Sequence, residues 1–298
     1  MIKTKNRQAF SLIEISVVIV VIGILIAGIS SGIELYDDYK LKVAQNITKN
    51  SRVNRIPDLE MWLETTGENS LATGTTSFTD KANPVDQDPI GRWNDINPNI
   101  IATAKNNATQ ATLANQPTYI RKGMNGLPAL LFDGSNDSFS FNGNFLVGAD
   151  YTIFVVEARG SNKDNNYFLG GSAITTNARL HIGYRYNGTI TLAHFFRDLD
   201  KNISGFVSQV GVVHSFVFSK VNGKAIWTNG GNKAFDQGAS AKEPLVSYVN
   251  SVIAANNESN TYFKGSFAEI IFYTRALSDK ERQEVELYLS KKWGIKIG

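Results

Sequence analysis

The sequence predicts a long N-terminal α-helix followed by an all-β sandwich that carries a short C-terminal helix. The first helix is indicated by an apolar stretch without a charged residue from Ile15 to Ile33. The sandwich is indicated by short runs of β-branched and aromatic residues after Pro57, separated by Asn-Gly and other Gly-containing turns. The last helix is indicated by Ser278 and Glu281, whose three-residue spacing is typical of a capping box.

The charge balance excludes some classes of function. The chain has 298 residues, with 30 Lys and Arg against 27 Asp and Glu. Three of the positive charges, Lys3, Lys5 and Arg7, precede Ala9, so the remainder is neutral with 27 charges of each sign. This balance is not typical of a nucleic-acid-binding protein. The chain has no cysteine, which excludes disulfides and thiolate metal sites.

The apolar stretch is long enough to cross a membrane. Residues 15–33 would span about 28 Å as a helix, close to the thickness of the hydrocarbon core. Basic residues before the stretch and the acids Glu34, Asp37 and Asp38 after it predict a cytoplasmic N-terminus and an exported remainder. A secretory signal cleaved at "AGISSG" and a retained signal anchor both fit these features. Neither accounts for Glu14, an acid at the edge of the span.

The segment "AFSLIE", residues 9–14, accounts for this acid. It resembles the processing site of type IV prepilins and pseudopilins, in which a short basic leader is removed before a hydrophobic residue, usually Phe. The resemblance implies cleavage by a prepilin peptidase between Ala9 and Phe10, followed by methylation of the new N-terminus. It also implies that Glu14, the fifth residue of the mature chain, pairs with the Phe10 amine of a neighbouring subunit and sets the assembly register. Ala9 departs from the Gly that is usual before the cut.

Beyond the apolar stretch the helix is predicted to continue as an amphipathic segment. Apolar and small residues recur at three-to-four spacing from Leu41 to Ser51, with Lys and Gln elsewhere. Because Pro57 cannot occupy a helix interior, the helix is expected to end by about Arg55. The predicted organisation is a leader (1–9), a membrane-spanning and amphipathic helix (10–56) and one β domain (57–298).

Several strands are predicted within residues 57–298. The stretch "YTIFVVEAR", residues 151–159, is typical of a strand buried on both faces, and "SFAEIIFYTR" predicts another strand. Hairpins are predicted at Asn187-Gly188 and Asn222-Gly223, because Asn-Gly favours tight turns. Residues 65–118 are expected to be mainly loops. Many short strands with regular turns favour a single sandwich.

Three stretches resemble the concanavalin A-like, laminin-G-like jelly-roll superfamily. They are "LEMWLETT" followed by "GRWNDI", then "NGLPALLFDGSNDSFSF", then "GSFAEIIFYTRALSDKERQEVELYLSKKWGI". They occur in the order expected for that superfamily and cover most of residues 57–298. The resemblance implies a concanavalin A-like jelly roll and a lectin-like head, with calcium often bound near the glycan-binding edge.

The sequence predicts that the chain is not an enzyme. The resemblance implies that a glycoside hydrolase with this jelly roll would carry a Glu-x-Asp-x-x-Glu strand. That pattern does not occur here, and "FAEIIFY" supplies Glu269 alone. His181, His194 and His214 lie in predicted strands without a metal-ligand spacing, so each is expected to be a half-buried structural residue. Neither a Gly-x-Ser-x-Gly elbow nor a phosphate-binding loop occurs in residues 57–298 of the sequence.

The turn "FDGSNDSF" is the predicted ligand site. Asp133, Asn136 and Asp137 carry oxygens suited to a ligand, and Asp133 and Asp137 suit calcium. The alternative is that these residues stabilise an ordinary turn through hydrogen bonds to their own backbone. A second set of residues could contact a sugar through an amide-rich loop or by ring stacking, although some of the aromatic rings are expected to pack between the sheets. That set contains Asp164, Tyr184, Tyr186 and Trp227.

These features together predict a minor type IV pilin-like subunit that displays an adhesive or binding head. The alternatives are a pseudopilin of a type II secretion apparatus and a membrane-anchored protein that binds or hydrolyses carbohydrate. The expected partners are a prepilin peptidase, other pilin subunits, the inner membrane and a glycan or surface-protein ligand. The expected location is the inner membrane, followed by a pilus, a pseudopilus or the cell surface.

Overall fold

The order of elements begins with one long helix and continues with short strands. The computed structural model describes residues 12–81, 84–203, 207–256 and 261–298. The predicted processing residues Ala9 and Phe10 lie outside this part of the chain. The helices are α1 (Leu12–Lys49) and α2 (Asp279–Trp293). The strands are β1 (Leu59–Glu64), β2 (Leu71–Thr73), β3 (Thr79–Lys81), β4 (Arg92–Trp93), β5 (Ala108–Thr109), β6 (Thr118–Met124), β7 (Leu127–Asp133), β8 (Phe139–Ser140), β9 (Tyr151–Arg159), β10 (Asn166–Gly170), β11 (His181–Tyr186), β12 (Thr189–Ala193), β13 (Asp198–Asn202), β14 (Gly211–Ser219), β15 (Gly223–Thr228), β16 (Gly231–Asp236), β17 (Val252–Ile253) and β18 (Lys264–Tyr273).

The chain divides into two compact units, Met1–Val43 and Ala44–Gly298. In the first unit α1 is, among the described residues, the one helix long and apolar enough to cross a membrane. The side chains of its most apolar window are not buried within the molecule. This is the composition of a helix solvated by hydrocarbon or by other helices.

The α-helix ends earlier than predicted, at Lys49 rather than near Arg55. The Asn50 side chain donates to the carbonyl of Asn46 (2.9 Å), and a short 3₁₀ turn, Val53–Arg55, follows. The Asn46 carbonyl also accepts from the Asn50 amide (3.1 Å), and the α-helix ends before Pro57.

The second unit is a sandwich of two antiparallel sheets, as predicted. Within the described residues, one sheet has eight strands in the order β16-β15-β14-β9-β18-β7-β6, with β1 also paired to β18. The other described sheet has ten strands in the order β13-β12-β11-β10-β17-β8-β5-β4-β2-β3. Aromatic side chains fill the space between the sheets, including Phe132, Phe168, Phe216 and Phe267. The predicted all-β sandwich with a short C-terminal helix is therefore confirmed.

Strand β9 lies at the centre of the eight-stranded sheet and is covered on both faces. All nine of its residues are buried. Ile153 and Val155 point between the sheets, whereas Phe154 and Val156 pack in the cluster that contains Val285 of α2. The apolar run from Ile153 to Val156 in β9 follows from this double burial.

Helix α2 has the predicted capping box. The Ser278 hydroxyl accepts from the Glu281 amide, and the Glu281 carboxylate accepts from the Ser278 amide. Gly294 ends the helix in the left-handed conformation (φ 63°), where a side chain would be strained.

Both predicted hairpins are present, and the loop of the second differs from the predicted Asn222-Gly223 turn. Strands β11 and β12 join through Asn187-Gly188 as predicted, with Tyr186 paired to Thr189. In the β14–β15 hairpin Ser219 pairs with Gly223, so the loop has three residues, 220–222. The described residues between 65 and 118 are mainly loops, as predicted, and they also contain the short strands β2 to β5.

A buried ionic cluster joins α2 to the eight-stranded sheet. The Lys292 Nζ atom lies 2.8 Å from Glu64 Oε2 and 2.9 Å from Glu269 Oε2, and all three side chains are fully buried. We call these three residues the Lys292 cluster. Glu269, which the sequence presented as a lone acid, is opposite Glu64 in the β1–β18 register. Two carboxylates on neighbouring strands thus share one ammonium.

Donors from aromatic side chains complete the Lys292 cluster. Trp62 Nε1 (2.6 Å), Tyr288 OH (2.7 Å) and Trp293 Nε1 (2.8 Å) donate to Glu269. Burial, the largest single cause, would raise the pKa of Glu64, but the charge of Lys292 and the hydrogen bonds from Lys292 and Thr66 together lower it. The same pairing raises the pKa of Lys292 against the effect of burial. Glu64 and Lys292 therefore form a buried, hydrogen-bonded ion pair, as a buried charge requires.

Candidate functional site

The turn predicted to bind a ligand is stabilised by its own side chains. The Asp137 carboxylate accepts from the Asp133 amide (2.9 Å), and the Asp133 carboxylate accepts from the Ser135 amide (2.7 Å). Asn136 Nδ2 donates to the carbonyl of Ala114 (3.0 Å). Burial raises the pKa of Asp137 to about 6. These contacts are the ones expected if the residues stabilise an ordinary turn, which was the alternative to a ligand site.

Within the part of the chain that the structure describes, no group of three His, Cys, Asp or Glu residues is arranged to hold a metal ion. Asp133 and Asp137 are the two carboxylates of the predicted calcium site, and both accept backbone hydrogen bonds. Calcium binding there stays a prediction.

The other sequence-predicted contacts are dispersed. Asp164 accepts from the Asn187 amide (2.9 Å) in a loop. Tyr184 and Trp227 are buried, whereas Tyr186 is exposed. The ring of Trp227 lies 4.2 Å from the Arg282 guanidinium carbon, on the side of the sheet covered by α2. Of the three aromatic residues, Tyr186 alone is available for stacking at the surface.

The three histidines are more buried than predicted. His181 is 7% exposed, and His194 and His214 are fully buried. Burial is the largest cause that lowers their pKa values, to about 3 for His181 and His194. All three are therefore neutral near neutral pH, and each presents one donor and one acceptor nitrogen.

The structure brings together a set of polar groups that the sequence did not predict. A cavity of about 520 Å³ opens between the two sheets; we call it the inter-sheet cavity. Glu157, His214 and Thr228 line it from the eight-stranded sheet, and Tyr184 and Lys201 line it from the ten-stranded sheet. The rest of the wall is mixed: it has the apolar side chains of Ile203, Val207, Val210 and Val212 and the polar side chains of Arg159, Asn202 and Asn229.

Glu157, Tyr184 and His214 form a hydrogen-bonded triangle at this cavity. The Tyr184 hydroxyl donates to Glu157 Oε1 at 2.6 Å and lies 3.0 Å from His214 Nε2. His214 Nε2 is 3.2 Å from Glu157 Oε1, and its Nδ1 is 3.2 Å from the Thr228 hydroxyl. The Arg159 guanidinium carbon lies 3.9 Å from the centre of the Tyr184 ring. The residues come from four strands, β9, β11, β14 and β15, so their meeting is a product of tertiary structure.

Burial controls the protonation of the triangle. Burial and the neighbouring Glu157 carboxylate raise the pKa of Tyr184 well above its ordinary value, so the phenol is protonated. Burial lowers the pKa of His214 although Glu157 opposes the shift. Burial also lowers the pKa of Lys201 to about 8. The protonated Tyr184 phenol can therefore donate its proton along the hydrogen bond to Glu157 Oε1.

One atom of the triangle is left for a ligand. Within the described residues Glu157 Oε2 is buried and has no hydrogen-bond partner. A buried unpaired carboxylate oxygen is costly, and such exceptions require an explanation. The sequence contained a signal, since Glu157 is the one acid in the strand "YTIFVVEAR" and directly follows its apolar run. That signal identifies the acid but not Tyr184, which is 27 positions later in the chain.

Comparison with known proteins identifies the N-terminus. The prokaryotic N-terminal methylation motif matches residues 4–30. This match gives the chain a type IV pilin-like N-terminus, which agrees with the prediction made from "AFSLIE". No curated protein sequence matches the chain.

The head is similar in fold to solved carbohydrate-active proteins. A Trypanosoma rangeli sialidase in complex with 2,3-difluorosialic acid has a TM-score of 0.55 and 13% identity, with 87% of this chain and 39% of the sialidase covered. A GH54 α-L-arabinofuranosidase soaked with a cyclic sulfate inhibitor has a TM-score of 0.55 and 11% identity, with 84% and 65% covered. The chain thus spans less than two thirds of either protein. These likenesses fit a jelly-roll head without singling out the concanavalin A-like or laminin-G-like type.

The prediction that the chain is not an enzyme is wrong, and these likenesses are the finding that corrects it. Proteins named as a sialidase and an arabinofuranosidase share this fold, so the fold does not exclude hydrolase chemistry. The prediction depended on the absence of a linear acid motif and on Glu269 as a lone acid. The structure instead assembles Glu157, Tyr184 and His214 from separate strands. At 11–13% identity the likeness establishes the fold, and a reaction for this chain is a matter of proposal.

The chain therefore joins a pilin-like N-terminus, marked by the methylation motif at residues 4–30, to a β-sandwich head of a fold shared with carbohydrate-active proteins.

Proposed function

We propose that the chain is a minor pilin-type subunit whose exported β-sandwich binds carbohydrate. The observation that carries the proposal is the methylation motif at residues 4–30, followed by α1 with its unburied apolar side chains. Such a helix is stable when lipid or the helices of other subunits cover it. The fold likeness to carbohydrate-active proteins supports carbohydrate as the ligand class.

Glu14 has a defined part in this proposal. Cleavage between Ala9 and Phe10 produces an α-amino group, which is cationic below a pKa of about 8. The Glu14 carboxylate of one subunit pairs with the Phe10 amine of the next, and each charge offsets the cost of burying the other. The pair then defines the axial stagger of neighbouring α1 helices. A secretion pseudopilus would use the same pairing, and the gene neighbourhood separates it from a pilus.

The test is the N-terminal mass of the protein recovered from its native membrane, together with incorporation of Glu14→Ala into fibres. We expect a chain that begins at methylated Phe10, with cleavage intact and incorporation reduced at least tenfold in Glu14→Ala. Glu34→Ala, which removes an acid beyond the apolar stretch, is the matched control and should assemble normally. An intact Met1 in the native protein would refute the pilin assignment.

A glycosidase is a second candidate function for the head, favoured by the Tyr184–Glu157 contact of 2.6 Å at the inter-sheet cavity. Most glycosidases use two carboxylates, and those that use a Tyr nucleophile are exceptions to this arrangement. Here Glu157 would accept the Tyr184 proton as the phenol oxygen attacks the anomeric carbon, and the bond from that carbon to the aglycone oxygen would break, so that the aglycone leaves as its anion, as 4-nitrophenolate can. Water would then attack the anomeric carbon and break its bond to the Tyr184 oxygen, which regains its proton from Glu157, while the proton of the water passes to solvent. His214 would orient the hydroxyl from its second side.

Release of 4-nitrophenol from a panel of 4-nitrophenyl glycosides tests this candidate. Glu157→Gln and Tyr184→Phe should each lower kcat at least a hundredfold, since each removes a reacting group. Tyr262→Phe, which changes a partly exposed tyrosine outside the cavity lining, is the control. Turnover that survives in Tyr184→Phe would eliminate the candidate.

A further inference from the structure

A second opening lies at the β10–β13 end of the ten-stranded sheet. It has a volume of about 540 Å³ and shares no lining residue with the inter-sheet cavity. Four rings line it, those of Tyr167, Tyr186, Phe195 and Phe196. We call it the aromatic cleft.

Buried polar atoms in the aromatic cleft lack partners. Within the described residues neither ring nitrogen of His181 has a hydrogen bond, and its Nε2 is 3.7 Å from Asp198 Oδ1. Asn256 Oδ1 and Asp198 Oδ1 are likewise buried and unpaired in that part of the chain. His181 is 7% exposed and Asn256 is 3% exposed, so bulk water does not solvate these side chains freely. A buried polar group without a hydrogen bond is destabilising, and three residues in this one cleft carry such groups.

The backbone at the rim of the cleft is strained. Phe195 and Phe196 both have positive φ angles, 33° and 64°, which are outliers for bulky residues. The Arg179 guanidinium carbon lies 4.0 Å from the centre of the Phe195 ring. The Phe196 ring is 65% exposed. Strain of this kind persists where function requires it, and here it presents an aromatic face to solvent.

The unpaired atoms have a defined hydrogen-bonding character. Burial and the charges of Arg179, Arg185 and Lys224 lower the pKa of His181 to about 3. A neutral imidazole has one donor and one acceptor nitrogen, while the free oxygens of Asn256 and Asp198 accept. Arg185 is paired with Asp198 and with Asp200, so the cleft does not present an unbalanced cation through that side chain.

We propose that the aromatic cleft binds a neutral pyranose. A sugar hydroxyl both donates and accepts, which matches His181, and further hydroxyls donate to Asn256 and Asp198. The C–H face of the ring lies against Phe196 and Tyr186, because an aromatic face suits an apolar surface with polar edges. This inference rests on the carbohydrate-binding part of the proposed function and is independent of the assembly part.

The test begins with the full chain in detergent micelles on an array of neutral and acidic mono- and oligosaccharides. The strongest binder is then titrated against His181→Ala, Phe196→Gly and the control Phe235→Ala, which removes an exposed ring on β16. We expect His181→Ala and Phe196→Gly each to weaken binding at least tenfold and Phe235→Ala to leave it unchanged. Phe196→Gly should also raise or preserve Tm, since Gly relieves a positive φ. A gain of stability with a loss of affinity is not expected of a merely structural ring.

The outcomes separate the two proposals. If a glycan binds and neither cleft variant weakens it, the cleft assignment is wrong and the carbohydrate-binding head stands. If no sugar on the array binds the wild-type chain, carbohydrate binding by the head is refuted together with the cleft. Preferential binding of acidic sugars would overturn the neutral-ligand assignment.

Discussion

Lys292→Met is expected to destabilise the head by about 3–5 kcal/mol at neutral pH, the usual cost of removing one partner from a buried ion pair. Methionine approximates the length of the side chain but removes the ammonium that lies 2.8 Å from Glu64 and 2.9 Å from Glu269. Both carboxylates are fully buried and would remain without a counter-charge. The Trp and Tyr donors to Glu269 reduce the penalty but supply no formal positive charge.

The penalty is expected to depend on pH. In the wild type, Lys292 lowers the pKa of Glu64, so this group stabilises the fold above its unfolded pKa and loses that contribution as pH falls. In Lys292→Met the ammonium no longer opposes burial at Glu64, and only hydrogen bonds such as those from Thr66 still do, so we expect the folded-state pKa of Glu64 to rise above the unfolded value. The variant is then least stable at high pH and regains stability on acidification. The difference between the two proteins should therefore shrink between pH 7 and pH 4.

Urea unfolding followed by tryptophan fluorescence measures this difference in the full chain in micelles. All four tryptophans, Trp62, Trp93, Trp227 and Trp293, follow α1 in the sequence, so the signal reports on the head. Lys291→Met, at the exposed neighbouring position on α2, is the matched control and should change stability by less than about 0.5 kcal/mol. Equal stability of the two variants, or a penalty that does not change with pH, would refute the account of the cluster.

Two further predictions concern α2 and its approach. Ser278→Ala should lower the free energy of unfolding by about 1 kcal/mol, because it removes the N-cap oxygen that accepts from the Glu281 amide. The midpoint of urea unfolding measures this loss, and Ser208→Ala, at an exposed position, is the control. Arg275→Ala should cost less than about 1 kcal/mol at pH 7, since the pair is partly solvated. Hydrogen bonds from Arg275 lower the pKa of Glu281 to about 2, so this contribution is present above about pH 4.5 and is lost as pH falls towards 2. Urea unfolding of wild type and Arg275→Ala at both pH values checks this, and a cost that persists at pH 2 would contradict it.

Local sequence signals predicted the elements that depend on local physics. The apolar span of α1, the Ser278–Glu281 cap and the Asn187-Gly188 turn each depend on residues close in the chain, and each is present. Pro57 sets a limit beyond which the helix cannot continue, and α1 ends within that limit at Lys49, a position that the proline alone does not specify.

The candidate sites depend on register and on the packing of one sheet against another. The turn "FDGSNDSF" could be recognised from its sequence, and the structure has a turn there. Glu157 and Tyr184, in contrast, meet only because β9 and β11 face each other across the sandwich. His181 was interpreted as a half-buried structural residue, and its two unpaired nitrogens became visible only with its neighbours in place.

The sequence alone determined that this chain has a pilin-like N-terminus, an apolar helix and a β-rich head, since charge, hydropathy and turn chemistry act over a few residues. Tertiary structure decided which polar residues share a site. Hydrogen bonds of about 3 Å require side chains from distant strands to converge, and strand order and sheet packing determine that convergence. The same packing places Glu269 in an ion pair with Lys292, whereas it places Glu157 at the wall of a cavity.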